Sequence, residues 1–156
     1  MKKYLVIGNP INHSLSPEIH NYWIKKNNIN ATYEKRKLNV DDIVELIDEI
    51  RSDKISGINV TVPFKRDVIP FLDDLSKEAN ITKSVNTISF KNNKVTGYNT
   101  DIAGFQISLK DTGFNLKNKE VLILGSGGVV PSIIYALEKY GVSQITICNR
   151  TKSKAI

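Results

Sequence analysis

The stretch that most restricts the fold lies late in the chain. Glu120–Leu124 is an apolar run that reads as a buried strand. Gly125-Ser126-Gly127-Gly128 follows at once, and a helical pattern then continues to about Tyr140, where Gly141 closes it. A strand that turns through glycines straight into a helix lets the backbone approach a phosphate at the helix N-terminus. A second strand, Gln144–Cys148, completes a β-α-β unit, which requires a parallel sheet and so an α/β fold. Gly125 and Gly127 occupy the first two glycine positions of a dinucleotide fingerprint, and Val130 stands where the third would be. The second strand ends in Asn149-Arg150-Thr151, not in the Asp or Glu that suits NAD. An arginine there can pair with a 2′-phosphate, which favours NADP, although a plain surface arginine remains open. The candidate cofactor residues are Gly125, Ser126, Gly127, Gly128, Val129, Asn149, Arg150 and Thr151.

Upstream, strands and helices alternate. Strand Lys3–Gly8 precedes a turn at Asn9-Pro10, and a helix over 17–27 is expected with Ser16 as its N-cap. Ile19, Tyr22, Trp23 and the stem of Lys26 fit a helical stripe. Thr32–Leu38 reads as an edge-like strand, and Asp41–Arg51 as an amphipathic helix burying Ile43, Val44, Leu46, Ile47 and Ile50. Gly57–Val62 is the next strand, followed by Phe64–Leu75, helical in pieces and interrupted at Pro70. A short helix over 76–82 has Ser76 as candidate cap. Val85–Phe90 and Lys94–Gly97 form a hairpin around Asn92-Asn93, one antiparallel element in the sheet. A helix over 100–111 leads to the polar connector Lys117–Lys119. The expected fold class is therefore α/β. A three-layer, mostly parallel sheet domain spans 1–101 and a linking helix and connector span 102–118. Residues 119–156 are expected to be the first β-α-β piece of a Rossmann-like NADP domain, truncated because such a domain needs more strands.

Four polar clusters fall at the tips of successive elements in the first domain, where α/β folds bind ligands. Ser14 and Ser16, two apart before a helix start, can both donate to one carboxylate, or Ser16 only caps and Ser14 is a loop residue. Asn59 and Thr61 leave their strand on one face, with Lys65 just beyond, while Ile58, Val60 and Val62 anchor the other face. Lys65 is either a general acid/base or a solvated lysine. Asn86-Thr87 and Asn99-Thr100-Asp101 either complete a site or shape turns.

The net charge of +6 is dispersed, and its longest basic run, Lys35-Arg36-Lys37, sits in a strand, so a nucleic-acid partner is not expected. One cysteine, Cys148, excludes an internal disulfide and is expected to be a small buried hydrophobe. His13 and His20 have no metal spacing, and no metal is expected. Without a signal peptide or a long apolar run, no membrane partner is expected and the location is expected to be cytoplasmic.

Taken together, these motifs resemble one family. Gly8-Asn9-Pro10-Ile11, Ser14-Leu15-Ser16-Pro17, Asn59 to Lys65, Val85-Asn86-Thr87, Gly97-Tyr98-Asn99-Thr100-Asp101, Gly125-Ser126-Gly127-Gly128 and Asn149-Arg150-Thr151 are similar, in order, to shikimate dehydrogenases. The resemblance implies reversible, NADPH-dependent reduction of 3-dehydroshikimate to shikimate, in aromatic amino-acid biosynthesis. It implies that Ser14 and Ser16 hold the substrate carboxylate. Thr61, Lys65, Asn86 and Asp101 would hold ring hydroxyls with Asn59 nearby, and Lys65 and Asp101 would be the catalytic pair. The chain differs from the family's common pattern at Lys83-Ser84, Ile102-Ala103 and Val130-Pro131. It also resembles only the earlier part of such enzymes, so this chain alone is expected to be inactive, and the full-length protein has room to be a homodimer. Two other readings are an NAD-using quinate/shikimate dehydrogenase and a shikimate-binding module without redox function. Ser16 and Arg150 weigh against the first, and the intact Lys65 and Asp101 against the second.

Overall fold

The computed structural model describes residues 1–154; the last two positions of the expected third segment, 155 and 156, lie outside the described residues. Its elements are β1 (Lys2–Gly8), α1 (Ser16–Lys26), β2 (Ala31–Lys37), α2 (Ile43–Arg51), β3 (Gly57–Val60), β4 (Asp74–Leu75), α3 (Lys77–Thr82), β5 (Thr87–Lys91), β6 (Lys94–Tyr98), α4 (Asp101–Asp111), β7 (Glu120–Leu124), α5 (Val130–Lys139) and β8 (Gln144–Cys148).

Six strands form one sheet in the order β2-β1-β3-β5-β6-β4, and β7 and β8 form a separate parallel pair. Among the described residues only β5 runs against its neighbours; the pairings of β1 with β2, β1 with β3, and β4 with β6 are parallel. The sheet is therefore mostly parallel with a single reversed strand. Asn92 and Asn93 make that reversal, both at positive φ (52° and 59°), a conformation asparagine tolerates in tight hairpin turns.

Three layers result. On one face, Ile43, Leu46, Ile47 and Ile50 of α2 pack on Leu5, Ile7, Ile58, Val60, Ile88 and Val95 of the sheet. On the other, Val6, Ile11 and Tyr33 form a smaller cluster with Tyr4 and with Ile24 of α1. Burying each such aliphatic side chain contributes roughly 1.5–3 kcal/mol against the entropy of ordering the chain. The edge strand β2 is covered by a side chain: Asn21 donates to the Tyr33 carbonyl (2.7 Å) and accepts from its N–H (3.0 Å).

Several sequence expectations are corrected. The stripe Ile19, Tyr22 and Trp23 faces solvent, because Ile24 lies on the packed side of α1. Val44 is exposed on α2. Val62 is exposed too, since β3 ends at Val60 and the chain turns before the next inward position. Pro70 does not interrupt a helix; it sits inside a single 3-10 turn, Ile69–Phe71. The two-residue strand β4 follows, which local pattern could not show because it is defined by its pairing with β6. Ser16 is the first residue of α1 and not its cap, a place taken by Leu15. Ser76 does cap α3, accepting from the Ala79 N–H at 3.2 Å. Strand β7 is not buried throughout. Among the described residues it has one neighbour, β8, and Leu122 and Leu124 are exposed, as is Cys148. Pro131 lies in the first turn of α5, where a missing N–H costs nothing.

Candidate functional site

The topology gathers the four polar clusters. β1 and β3 are parallel, so their C-terminal ends share one edge of the sheet. β5 is reversed, so its N-terminal end, carrying Asn86, comes to that same edge. β6 runs back again and delivers Asn99, Thr100 and Asp101 there. The loop bearing Ser14 and Ser16 leaves β1 beside Thr61 and Val62: the Asn9 N–H donates to the Val62 carbonyl at 3.0 Å. Gly8 has to be glycine at this crossing, because a Cβ would lie 2.7 Å from Thr61 Cγ2 and 3.0 Å from the Val62 oxygen.

At the centre, Lys65 Nζ lies 2.6 Å from Asp101 Oδ2, with the two side chains 11% and 22% exposed. The other carboxylate oxygen, Oδ1, accepts from Asn86 Nδ2 at 2.8 Å. Asn86 is itself fixed, since its Oδ1 accepts from the Thr100 N–H (2.9 Å) and from the hydroxyls of Thr100 (3.2 Å) and Thr87 (3.1 Å). Asp101 opens α4, where the helix dipole favours a carboxylate. The Lys65 backbone is held by the Val85 N–H on its carbonyl, 2.8 Å. An ammonium beside a carboxylate that is anchored twice cannot swing freely into solvent. A group held in this way can give or take a proton from a fixed position, the arrangement that general acid/base catalysis requires.

Asn59 is half-buried on β3 and committed to neighbours. Its Oδ1 accepts from the Tyr33 hydroxyl at 2.7 Å, and its Nδ2 reaches the Thr87 hydroxyl (3.1 Å) and the Asn86 carbonyl (3.3 Å). Burial pushes the Tyr33 hydroxyl up to about 12, so it remains a donor to Asn59 across ordinary pH. Asn59 thus braces Asn86 from behind. Thr61 lies just past β3, its N–H on the Ile7 carbonyl at 3.0 Å. Ser14 and Ser16 are half-buried, and the Ser16 N–H donates to Ser14 Oγ at 3.3 Å. Ser16 makes no capping bond, so its hydroxyl is not committed to the helix as a cap would be. Sequence reasoning passed over Tyr33 and treated Thr87 and Thr100 only as members of clusters. The signal was there for Thr100, which sits between two singled-out residues.

The glycine turn forms a second locus. Ser126, Gly127, Asn149, Arg150 and Thr151 line a cavity of about 250 Å³. Gly125 has a φ of 109° and donates its N–H to the Cys148 carbonyl at 2.7 Å, locking the end of β7 to the end of β8. Asn149 Nδ2 donates to the Thr151 carbonyl at 2.7 Å, which shapes the loop around Arg150. Gly127 meets nothing within 4 Å of an added Cβ, so the turn presents open backbone on this side. A bare glycine backbone facing an arginine across one cavity suits a phosphorylated dinucleotide. Gly128 and Val129 do not line this cavity. Gly128 faces Lys65, whose Cβ and Cδ would lie 3.7 Å from an added Cβ, and Val129 precedes α5. A larger cavity, about 610 Å³, lies elsewhere between the Ile69–Pro70 and Ile81–Lys83 segments and α5. It holds none of the anchored polar groups above. Among the described residues no cluster of His, Cys, Asp and Glu could hold a metal ion, and no helix is long and apolar enough to cross a membrane.

Residues 6–88 match the family model of the shikimate dehydrogenase substrate binding domain. A shikimate dehydrogenase (NADP(+)) of Pelagibacter ubique is 61% identical over 155 residues, covering 99% of this chain and 58% of that protein. The crystal structure of shikimate dehydrogenase from Aquifex aeolicus superposes with a TM-score of 0.92 at 42% identity, over 99% of this chain and 58% of that one. Shikimate 5-dehydrogenase from Thermus thermophilus, solved in complex with NADP(H) and shikimate, gives 0.88 at 32% identity, over 99% and 58%. The chain thus spans a little under three-fifths of the length of the relatives it matches.

Proposed function

The chain belongs to the shikimate dehydrogenase substrate binding domain family, and on that premise we propose that the protein is an NADP-dependent shikimate dehydrogenase. Its reaction is the reversible reduction of 3-dehydroshikimate to shikimate, a step of aromatic amino-acid biosynthesis. The observation that carries this reading is the Lys65–Asp101 pair at 2.6 Å, with Asn86 on the other oxygen of the same carboxylate. When bound, NADPH supplies a hydride to the substrate's carbonyl carbon. Lys65 Nζ gives a proton to the oxygen that becomes the hydroxyl, and takes it back in the oxidative direction. Asp101 holds Nζ in place at 2.6 Å. Thr61 and Asn86 bond the ring hydroxyls together with Lys65 and Asp101, and Asn59 keeps Asn86 in register. Ser14 and Ser16 donate to the substrate carboxylate. Ser126, Gly127 and Asn149 to Thr151 hold the dinucleotide, with Arg150 on its 2′-phosphate, and Gly125, Gly128 and Val129 shape the turn that carries them.

The division that serves this chemistry is a substrate domain over 1–101, a linking helix and connector over 102–118, and a cofactor-binding piece over 119–156. Two sheets that share no strand support it. The location is cytoplasmic, where an exposed thiol such as Cys148 stays reduced. The full-length protein is a homodimer paired through α1, whose exposed Ile19, Tyr22 and Trp23 form one stripe with the capping residue Leu15. In an antiparallel pair of α1 helices, Glu18 in the first turn meets Lys25 and Lys26 in the last turn of the partner copy. Light scattering of full-length Trp23→Glu, monomeric where the parent is dimeric, tests the pairing.

The function is tested by steady-state rates of the full-length protein with shikimate and quinate, and with NADP and NAD. Turnover of shikimate with NADP, preferred over the other three combinations, is expected. Absence of turnover with every combination would leave a binding module.

A further inference from the structure

We propose that Ser84, Asn99 and Ser132 form a clasp that positions the glycine turn against Lys65, and so sets the spacing between the substrate site and the cofactor site. The inference rests on the function proposed above. The three side chains are buried: Ser84 and Ser132 are fully inaccessible and Asn99 is 6% exposed. They come from different parts of the fold. Ser84 follows α3, Asn99 follows β6, and Ser132 lies in the first turn of α5.

Asn99 is the hub. Its Nδ2 reaches Ser132 Oγ (2.8 Å), the Ser84 carbonyl (2.9 Å) and Thr82 Oγ1 (3.1 Å). Its Oδ1 accepts from the Asp101 N–H at 3.0 Å, which seats the first residue of α4 and the carboxylate that anchors Lys65. Ser84 makes the second arm, its hydroxyl donating to the Gly128 carbonyl at 2.8 Å. Gly128 lies beside the stem of Lys65, whose Cβ and Cδ would be 3.7 Å from a Cβ placed there. One buried amide therefore fixes Asp101 on one side and α5 on the other, and the neighbouring serine ties the turn between them. None of the three groups is placed to touch the reacting atoms; they are positioning residues.

The chemical need is specific. Hydride transfer requires the reacting carbons about 3–3.5 Å apart, and a displacement of about 1 Å can cost on the order of 10²-fold in rate. The dinucleotide would sit on Ser126–Gly127, next to Gly128, so a turn free to shift relative to Lys65 would spoil that distance without disturbing the substrate pocket.

Ser84→Ala in the full-length protein removes one arm and leaves the Asn99 bonds intact. It should raise KM for NADP and lower kcat, with kcat/KM for NADP falling about 10–100-fold, while the dissociation constant for shikimate and the melting temperature stay close to the parent's. Ser132→Ala should show the same split, and the double variant should lose less than the product of the two, because both act on one spacing. Unchanged kinetics, or a shikimate affinity that falls in step with kcat/KM for NADP, would overturn the clasp. If the parent shows no dehydrogenase activity, the functional reading fails, and amide hydrogen exchange still decides the clasp. Ser84→Ala should then speed exchange across Gly128–Ser132 by at least about tenfold while β1 and β3 stay protected. Equal protection in the two proteins would overturn it.

Discussion

β1 and β7 are both short apolar strands followed by glycine, yet they end in different surroundings. Along β1, Leu5, Val6 and Ile7 are all buried, because α2 covers one face of the sheet, α1 covers the other, and β2 and β3 flank the strand. Along β7, no residue is fully buried, β8 is the only neighbour among the described residues, and Leu122 and Leu124 lie open. The chemistry divides the same way. The anchored groups Lys65, Asn86 and Asp101 stand on the closed sheet, while the glycine turn stands on the thin one and is tied back by Ser84 and Asn99. Burial here is a property of what surrounds a strand, and the strand's own residues only permit it.

Truncation on the two sides should break this comparison most visibly. Leu46→Ala on α2, 1% exposed and facing the first sheet, should cost about 2–5 kcal/mol in urea unfolding. Leu124→Ala, 78% exposed, should cost no more than about 0.5 kcal/mol. Similar losses at both positions would mean that β7 is as well covered as the core.

A glycine pair sharpens it further. In Gly97 of β6, a Cβ would lie 2.5 Å from Leu72 Cδ1 and 2.9 Å from Val85 Cγ2, so Gly97→Ala should destabilise by about 1–3 kcal/mol. Gly104 in α4 meets nothing within 4 Å, so Gly104→Ala should stabilise by about 0.5–1 kcal/mol through helix propensity. Thermal melts of the two variants should move in opposite directions.

The smallest effect concerns acid. The Arg36 hydrogen bond holds the Glu49 carboxyl below its ordinary value, and Arg51 together with the Val95 N–H does the same for Asp73. A lowered folded pKa adds stability above the unfolded pKa and loses it as pH falls through the folded one. The stability gap between the parent and Glu49→Gln should therefore be constant above about pH 5 and shrink below it, by at most about 1 kcal/mol for so exposed a pair. A gap that widens on acidification would reverse the assignment.

What could be read in advance follows the same division. The amphipathic pattern of α2, the Ser76 cap and the Asn92-Asn93 hairpin are local signals, and the structure keeps all three apart from the exposed Val44. β4 was invisible because two residues carry no period; its place comes from Asp73 and Ser76 donating to the Val95 and Gly97 carbonyls. The apolar stripe on α1 carried the right period but no sign of its direction, which Asn21 and Ile24 decide by docking on the opposite side. Cys148 looked like a core residue because strand ends usually are covered, and this one is not. The tip residues of the candidate site could be picked out, since α/β topology brings tips together. The links among them could not: that Asn59 would spend its side chain on Tyr33 and Thr87, or Asn99 its own on Ser132, depends on distances no spacing encodes.

The most direct test of the central claim is Lys65→Ala in the full-length protein, with kcat for shikimate oxidation by NADP and the calorimetric dissociation constant for shikimate measured side by side. Loss of a positioned acid/base should lower kcat by about 10²–10⁴-fold, with a much smaller rise in the dissociation constant. A variant whose kcat stayed within about threefold of the parent's would contradict the assignment of Lys65 as the group that moves the proton.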